Sequence, residues 1–584
     1  MSNGSSRLSA HSSPCTGISA SAKGLESCGY LVPYSSLDKR IFSYLTLSHS
    51  KIMYIVIGSG PAAIAATQAL VQQGHQVTIL DVGVSLEAGR QEIIDRMSTQ
   101  EPESWANDDV DAIVGQRLVS SETNHSKLSY GSAYSFDTGS AVVDIRWKEH
   151  AGFNHSVAKG GLSNVWGSSL LCYRQEDIAD WPVSIEDLQP HYRAVMDFVP
   201  ATAITDDLEE ILPTYSTQNN PLEPSRQGQA LLKDLEANKS RLRQSGIIAG
   251  RSRLAIRATG DATQRGCAYC TLCLSGCPYG LIYSSAQTLD ELIQSGRVRY
   301  LADHLVEKFE QVGDEVIVTG RDLAKNVVFT QRASRVFVAA GVLPTAKIVL
   351  NSLQAFDTPV TLLDSQYFIY PMLRFGLTEG VETERMHTSA QLFLEIDDKS
   401  VSEHMVHLQI YGYSSFLHHE LDRTFLAWPL RVAAFRRHFL GRLLIVQGFI
   451  HSKESGSLKL TLQQAADGQA FLNVRIQQAR KGLATTLKVG WKLLKQALNL
   501  RAVPLIPGLQ LLKPGSGYHS GGTFPMREQP GALETDTLGR LPTMTRVHLV
   551  DASVLPSIPA TSITLSIMAN SHRIATLAGR LDPS

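Results

Sequence analysis

"IMYIVIGSGPAAIAATQALVQQGHQVTILDVG", residues 52–83, decides the fold. A β-rich apolar run over 52–57 leads into Gly58-Ser59-Gly60-Pro61-Ala62-Ala63. An alanine-rich amphipathic helix then runs to about Gln73, Gly74 ends it, and 75–80 forms a second strand closing on Asp81. The arrangement is Gly-x-Gly-x-x-Ala inside a β–α–β unit, with an acid at the tip of the second strand. Gly58 permits the tight turn, Gly60 lets the backbone approach a pyrophosphate, and Ala63 lets helix and strand pack closely. The helix N-terminus offers free N–H groups and a positive dipole end to phosphates. Asp81 can accept hydrogen bonds from ribose hydroxyls. The unit predicts an α/β, Rossmann-like dinucleotide-binding domain, and by itself it does not separate FAD from NAD.

Working outward, 584 residues exceed the size at which one core keeps growing, so a second domain is expected. Lys+Arg (54) and Asp+Glu (55) balance, which leaves no global field to attract nucleic acid or anionic lipid. The most apolar stretch, 52–71, is broken by Gly-Ser-Gly-Pro and reads as strand–loop–helix, not as a membrane span. Residues 1–50 are serine-rich, without periodic hydrophobicity and without the basic-then-apolar order of a secretory signal. They read as a disordered tail, with Met53 a possible true start. Seven cysteines, four of them bunched in one loop, do not form a disulfide framework, and a cytoplasmic location fits best.

Three further stretches resemble the glucose–methanol–choline (GMC) flavoenzymes. The first, "KGGLSNVWGSSLLCYRQEDIADWPVSIEDLQPHYRAV" from Lys159, resembles the family's flavin-lining glycine pair and its Trp-Pro helix start. The resemblance places Gly160, Gly161, Ser163 and Asn164 against the cofactor with Trp166 behind, and Asp187 and Pro190 at a turn or first helical turn. The second, "ASRVFVAAGVLPTAKIVLNS", resembles the segment that closes the nucleotide site through Ala340 and Gly341. Upstream, Val306 matches a position whose backbone contacts adenine. The third is the C-terminus, "GYHSGGTFPM…DTLGRLPTMTRVHLVDASVLPSIPATSITLSIMANSHRIA". There His519, Gly522, Thr523, Asp536, Arg540, Asp551, Ala552, Ser553 and Pro556 match in order. The resemblance implies FAD as cofactor, with Asp551 and Ala552 near the flavin. It also implies a helix from Thr564 whose N-terminus points at the isoalloxazine, favouring the anionic reduced ring.

Oxidation of an alcohol needs a proton taken from oxygen and a hydride taken from carbon, and a neutral imidazole suits the first task. With water standing in for an alcohol, the pKa gap to histidine is about 9 units, or ~12 kcal/mol, which forbids a free alkoxide. The resemblance makes His519 the general base. Where the family pairs this histidine with Asn or His, this chain has Ser562, which can donate a hydrogen bond to the substrate oxygen but is a poor second base. Asn570 and His572 lie further along the helix and are expected to face elsewhere.

"CAYCTLCLSGCPYG", residues 267–280, carries Cys267-x2-Cys270-x2-Cys273-x3-Cys277-Pro278, the bacterial ferredoxin spacing. Three readings stand: a [4Fe–4S] cluster, with Cys277 or a remote thiol such as Cys172 as fourth ligand; a zinc site; or unligated thiols in a turn. A cluster would give reduced flavin a one-electron exit and favour a dehydrogenase with an electron-acceptor protein.

Residues 351–510 alternate in polarity as a sheet over an active site would, and read as an α+β substrate domain. The stretch from Asp422 to Val446 reads as a core helix with snorkelling arginines, ahead of an interfacial membrane helix or a lid. His418 and His419 are adjacent, cannot share one face, and read as surface residues. The domain scheme is therefore a tail (1–50), an FAD-binding domain (51–350), a substrate domain (351–510) and a C-terminal segment (511–584) that completes the first. The expected activity is FAD-dependent oxidation of an alcohol or carbohydrate CH–OH group. A flavin-bound lyase or non-redox binding protein on the same scaffold is the alternative.

Overall fold

Tyr54, Ile55, Val56 and Ile57 are all buried, so their strand is covered on both faces, as a central parallel strand must be. In the computed structural model it sits mid-sheet. The strand order is Val547–Leu549, Arg335–Val338, Tyr54–Ile57, Val77–Leu80, Val298–Leu301, with every neighbour parallel. The described residues are 53–115, 128–136, 142–149, 153–262, 264–414 and 431–581. The tail expected over 1–50, the pair His418–His419 and Pro429 lie outside them.

The Pro61–Gln72 helix starts with proline at its first position, where the missing N–H costs nothing. Its small side chains, Ala62, Ala63, Ala65 and Ala66, are buried and let the C-terminal helix Thr564–Gly579 lie close against it. Ser571 Oγ donates to the Ala62 carbonyl at 2.6 Å, which ties the two ends of the chain together.

Three more sheets surround this one among the described residues. A three-stranded antiparallel sheet spans His304–Val312, Glu315–Asp322 and Val327–Ala333. A seven-stranded antiparallel sheet is built from Tyr367–Arg374, Leu392–Ile396, Val406–Tyr411 and Leu443–Phe449. It draws an edge strand from Ile247–Arg251, far upstream, and two short strands from Ala502–Pro504 and Gln510–Leu511. In a five-stranded sheet, Ser520–Gly521 pairs with Pro359–Asp364, which carries the His519 segment to the sheet edge.

Two local expectations change. Asp187 caps the Ile185–Met196 helix reciprocally with Ser184, but Pro190 sits inside that helix, beyond its first turn. Ala433–Leu440 is a surface helix, not a core one: only Leu440 is buried, and Arg436 and Arg437 pair with Glu382 and Glu379. With its arginines held by surface carboxylates, that helix has no stripe wide enough to sink into a core. No helix among the described residues is long and apolar enough to cross a membrane.

Gly58 has φ +98°, and a Cβ there would lie 2.5 Å from the Ala339 carbonyl oxygen, whereas a Cβ on Gly60 would meet nothing within 4 Å. Gly58→Ala is therefore expected to lose at least ~2 kcal/mol of stability in urea unfolding, and Gly60→Ala to stay within ~0.5 kcal/mol of the parent. Equal midpoints for the two variants would contradict this account of the turn.

Candidate active site

The parallel strands end in one crevice. Gly58 N–H donates to Leu80 O at 2.8 Å, Ala339 N–H to Ile57 O at 2.9 Å, and Val550 N–H to Val338 O at 3.0 Å. Ligands of open α/β sheets bind outside such carboxyl ends. A second loop closes over the first: Gly160 N–H donates to Ser59 Oγ at 2.9 Å, and a Cβ on Gly161 would sit 3.1 Å from Gly60 Cα. Ser163 Oγ donates to Gly160 O at 2.5 Å, and Asn164 Nδ2 donates to the carbonyls of Lys159 and Gly161. Both side chains thus brace their own loop. Trp166 Nε1 donates to Tyr283 O at 2.9 Å.

Sequence reasoning missed two serines at this junction. Ser285 Oγ donates to both Ser59 O and Gly160 O, and Ser284 Oγ donates to Asn164 Oδ1 at 2.8 Å. They begin the Ser285–Gln294 helix, so the signal was the Ser-Ser ahead of a helical run.

Asp81 is held by Ser59 Oγ and by Tyr300 OH at 3.0 Å, and burial pushes its carboxyl up to about 6 despite both hydrogen bonds. Tyr300, also missed, comes from the strand next to Asp81's own. The open space in front of Gly60, between a helix N-terminus and the half-buried Asp81, fits the pyrophosphate and ribose of a dinucleotide. Val306 is buried in the His304–Val312 strand, beside an irregularity in its pairing. Ala340 and Gly341 form the turn into the Val342–Ser352 helix.

Asp551 is fully engaged by protein: it accepts from Gly341 N–H at 3.0 Å, Thr345 Oγ1 at 2.6 Å and the N–H and hydroxyl of Ser553. Its carboxylate therefore staples two strand ends together, with burial pushing its pKa up. Ala552 O accepts from Gly522 N–H at 2.8 Å, and Phe524 and Met526 continue the same pairing along 553–554. This zipper brings the segment after His519 onto the crevice. Thr564 begins the last helix, whose N-terminus has no side-chain cap.

His519 stacks on Phe449, ring centres 4.4 Å apart, and its Nδ1 is shut off from solvent with no hydrogen-bond partner. Burial, reinforced by His407, lowers its pKa to about 3. Thr523 Oγ1 and Thr561 Oγ1 are buried without partners in the same C-terminal segment. Ser562 Oγ accepts from Leu171 N–H at 3.1 Å, which leaves its own proton to donate. Asn570 turns to Arg573 and His572 to His191, Nδ1 to Nδ1 2.8 Å, so neither serves His519.

Behind His519, His407 Nδ1 lies 2.7 Å from Glu395 Oε1, both side chains fully buried and directly opposite in neighbouring strands. Polar residues inside two otherwise buried strands were the available sign.

The cysteine loop is held in an unusual backbone shape, with Tyr269 at φ +53° and Thr271 at φ +67° on either side of Cys270. For a β-branched residue that is an outlier. Burial pushes the thiols of Cys267 and Cys277 up to about 12. Cys172 donates to Pro213 O at 3.4 Å. Among the described residues no group of three or more His, Cys, Asp or Glu side chains is placed to hold a metal ion, so neither the iron–sulfur nor the zinc reading of Cys267, Cys270, Cys273 and Cys277 has support.

No protein-family model matches the chain, and no curated protein matches it. Among solved structures, pyridoxine 4-oxidase from Mesorbium loti is similar, with a TM-score of 0.52 at 13% identity. The match covers 90% of this chain and 99% of that one. It shows that the two share a fold, the α/β architecture expected from residues 52–83 onward.

Removing one member of the buried Glu395–His407 pair leaves the other unsatisfied. Glu395→Ala is expected to cost ~1–3 kcal/mol in chemical unfolding, and Glu395→Gln, which keeps a hydrogen bond, clearly less. Indistinguishable losses would show that the hydrogen bond contributes nothing.

Proposed function

We propose that this protein is an FAD-dependent oxidoreductase of the glucose–methanol–choline family, oxidising the CH–OH group of an alcohol or carbohydrate. The observation that carries the reading is His519: a half-buried imidazole whose Nδ1 is shut off from solvent and unpartnered, on a segment hydrogen-bonded along the ends of the dinucleotide sheet. The shared fold with pyridoxine 4-oxidase, by its name an oxidase, supports it.

Residues of both loops would hold FAD: Gly58, Gly60 and Ala63 at the pyrophosphate, Asp81 at the ribose, and Gly160, Gly161, Ala340, Gly341 and Ala552 around the rest. When bound, FAD supplies the acceptor for the carbinol hydride. His519 takes the hydroxyl proton. An imidazole with a pKa of about 3 is a weak acceptor, so the proton leaves as the hydride leaves and not before it. Ser562, fixed by Leu171 N–H, donates its remaining proton to the substrate oxygen and orients it. Because Ser562 replaces a second base, a flavin-bound lyase or binding protein is the alternative reading.

Anaerobic addition of a panel of alcohols and sugars discriminates the two. Bleaching of the flavin is expected, and an unchanged spectrum throughout would favour the lyase. His519→Ala is expected to keep FAD and to slow flavin reduction at least ~100-fold; undiminished reduction would remove the histidine from the chemistry.

Burial holds the His519 ring in its neutral, proton-accepting form at any pH well above about 3. The pH profile of kcat/KM is therefore expected to lack an acid limb near the ordinary histidine pKa of ~6.5 and to stay level over roughly pH 5–8. A tenfold fall per pH unit below ~6.5 would show a solvated imidazole instead.

A further inference from the structure

The helix Arg480–Lys495 has apolar residues on two faces, and folding uses only one of them. Its inner face is committed to the seven-stranded sheet. Val489 and Leu493 are buried in one core with Tyr370, whose hydroxyl donates to Thr486 O, and Thr485 Oγ1 donates to Glu454 Oε2 at 2.7 Å. Gly482 and Gly490 let that face lie close, since a Cβ there would stand 2.8 Å from Gln366 Oε1 and from Tyr370 OH respectively.

The outer face is apolar as well. Leu483, Leu487, Trp491 and Leu494 recur at i, i+4, i+8 and i+11, the spacing of a single helical stripe. Leu483 and Leu487 are exposed, as are Trp491 at 56% and, just beyond the helix, Leu498 at 76%. Further on, Arg501 lies over the exposed Phe375 ring, 5.5 Å from its centre. Single exposed leucines are ordinary, but a row of them with an indole marks an interaction surface.

Charge selects the occupant. Arg480 to Arg501 contains six cations and no acid. Lys481, Lys488 and Lys495, seven residues apart and all exposed, run in file beside the stripe. Among the described residues only Lys492 of the six pairs with a carboxylate, Asp398 at 2.5 Å. The Ala433–Leu440 helix differs, because Glu382 and Glu379 neutralise its Arg436 and Arg437. A second copy of the chain would set these cations against themselves across a twofold contact, which repulsion disfavours. Nucleic acid would satisfy the lysines and leave the leucines in water. A lysine-flanked row of Leu and Trp suits the boundary between anionic headgroups and acyl chains. The chain's overall charge balance does not oppose this, since attraction to a charged surface acts within about a Debye length, ~10 Å at 0.1 M salt.

We infer that the outer face of the Arg480–Lys495 helix, continued by Leu498, docks on an anionic phospholipid bilayer, lying in its surface without crossing it. The inference does not depend on the chemistry of the crevice.

The test is co-sedimentation of the full chain with vesicles of phosphatidylcholine alone and of phosphatidylcholine with about 30% phosphatidylserine. Binding to the second and not the first is expected, and ~0.5 M salt is expected to reverse it. Replacing Lys481, Lys488 and Lys495 together by Gln is expected to weaken binding roughly 100-fold, and Trp491→Ser at least ~10-fold. Both variants are expected to keep the parent's urea midpoint, because the four side chains are exposed. Trp491→Phe is expected to bind but to lose most of the fluorescence quenching that brominated acyl chains produce in the parent. No binding to the anionic vesicles, equal binding to both compositions, or undiminished binding of the lysine variant overturns the proposal. Tighter binding to a duplex oligonucleotide, unaffected by Trp491→Ser, would assign the face to nucleic acid and overturn it too, as would a dimer that Leu498→Asn abolishes.

Discussion

Everything in the molecule depends on one set of backbone pairings, the alignment of Arg335–Val338 between Tyr54–Ile57 on one side and Val547–Leu549 on the other. Three segments separated by hundreds of residues meet there as adjacent parallel strands. Their carboxyl ends become one edge on which Gly58, Gly341 and Asp551 stand together. Parallel pairing of this kind pays its loop-closure entropy before any contact rewards it. The stabilisation comes from near-complete burial of the Val and Ile side chains and from the C-terminal helix packed on the alanine-rich one. Asp551 secures the edge by bonding Gly341 and Thr345 across the sheet from its own turn.

The chemistry is arranged by burial. Asp81 and Asp551 are pushed towards the protonated form, and Asp364, bonded to Ser520 beside the His519 loop, is raised to about 7. The histidines move the opposite way, His519 furthest towards neutrality together with His451. Desolvation penalises charge of either sign, so the same burial raises these carboxyls and lowers these imidazoles. A neutral imidazole stacked on Phe449 and backed by the Glu395–His407 pair is fixed in orientation, and it waits for a proton from a partner that the protein itself does not provide.

The cysteine loop belongs to the same construction. It leads directly into the helix whose first serines brace the Gly160 loop, so its shape and that of the crevice are set together. Tyr130, which packs on Gly276 and donates to Cys277 O, holds that same C-terminal end of the loop.

The β–α–β unit, its glycines and its terminal acid were legible in the chain because they are local: a period-2 run, a turn that only glycine tolerates, and a period-3.6 run lie within some thirty residues. The C-terminal motif and the cysteine spacing were legible for the same reason. The sequence did not disclose Ser284, Ser285, Tyr300 or the Glu395–His407 pair, each of which acquires its role only from a partner distant in the chain. It misplaced the Ala433–Leu440 helix, because an apolar–basic pattern does not say which face finds a core. Tertiary structure decided that Ser163 and Asn164 brace a loop and that Asp551 staples strands. Local pattern specifies conformation, but burial and partnership are properties of what the rest of the chain brings alongside.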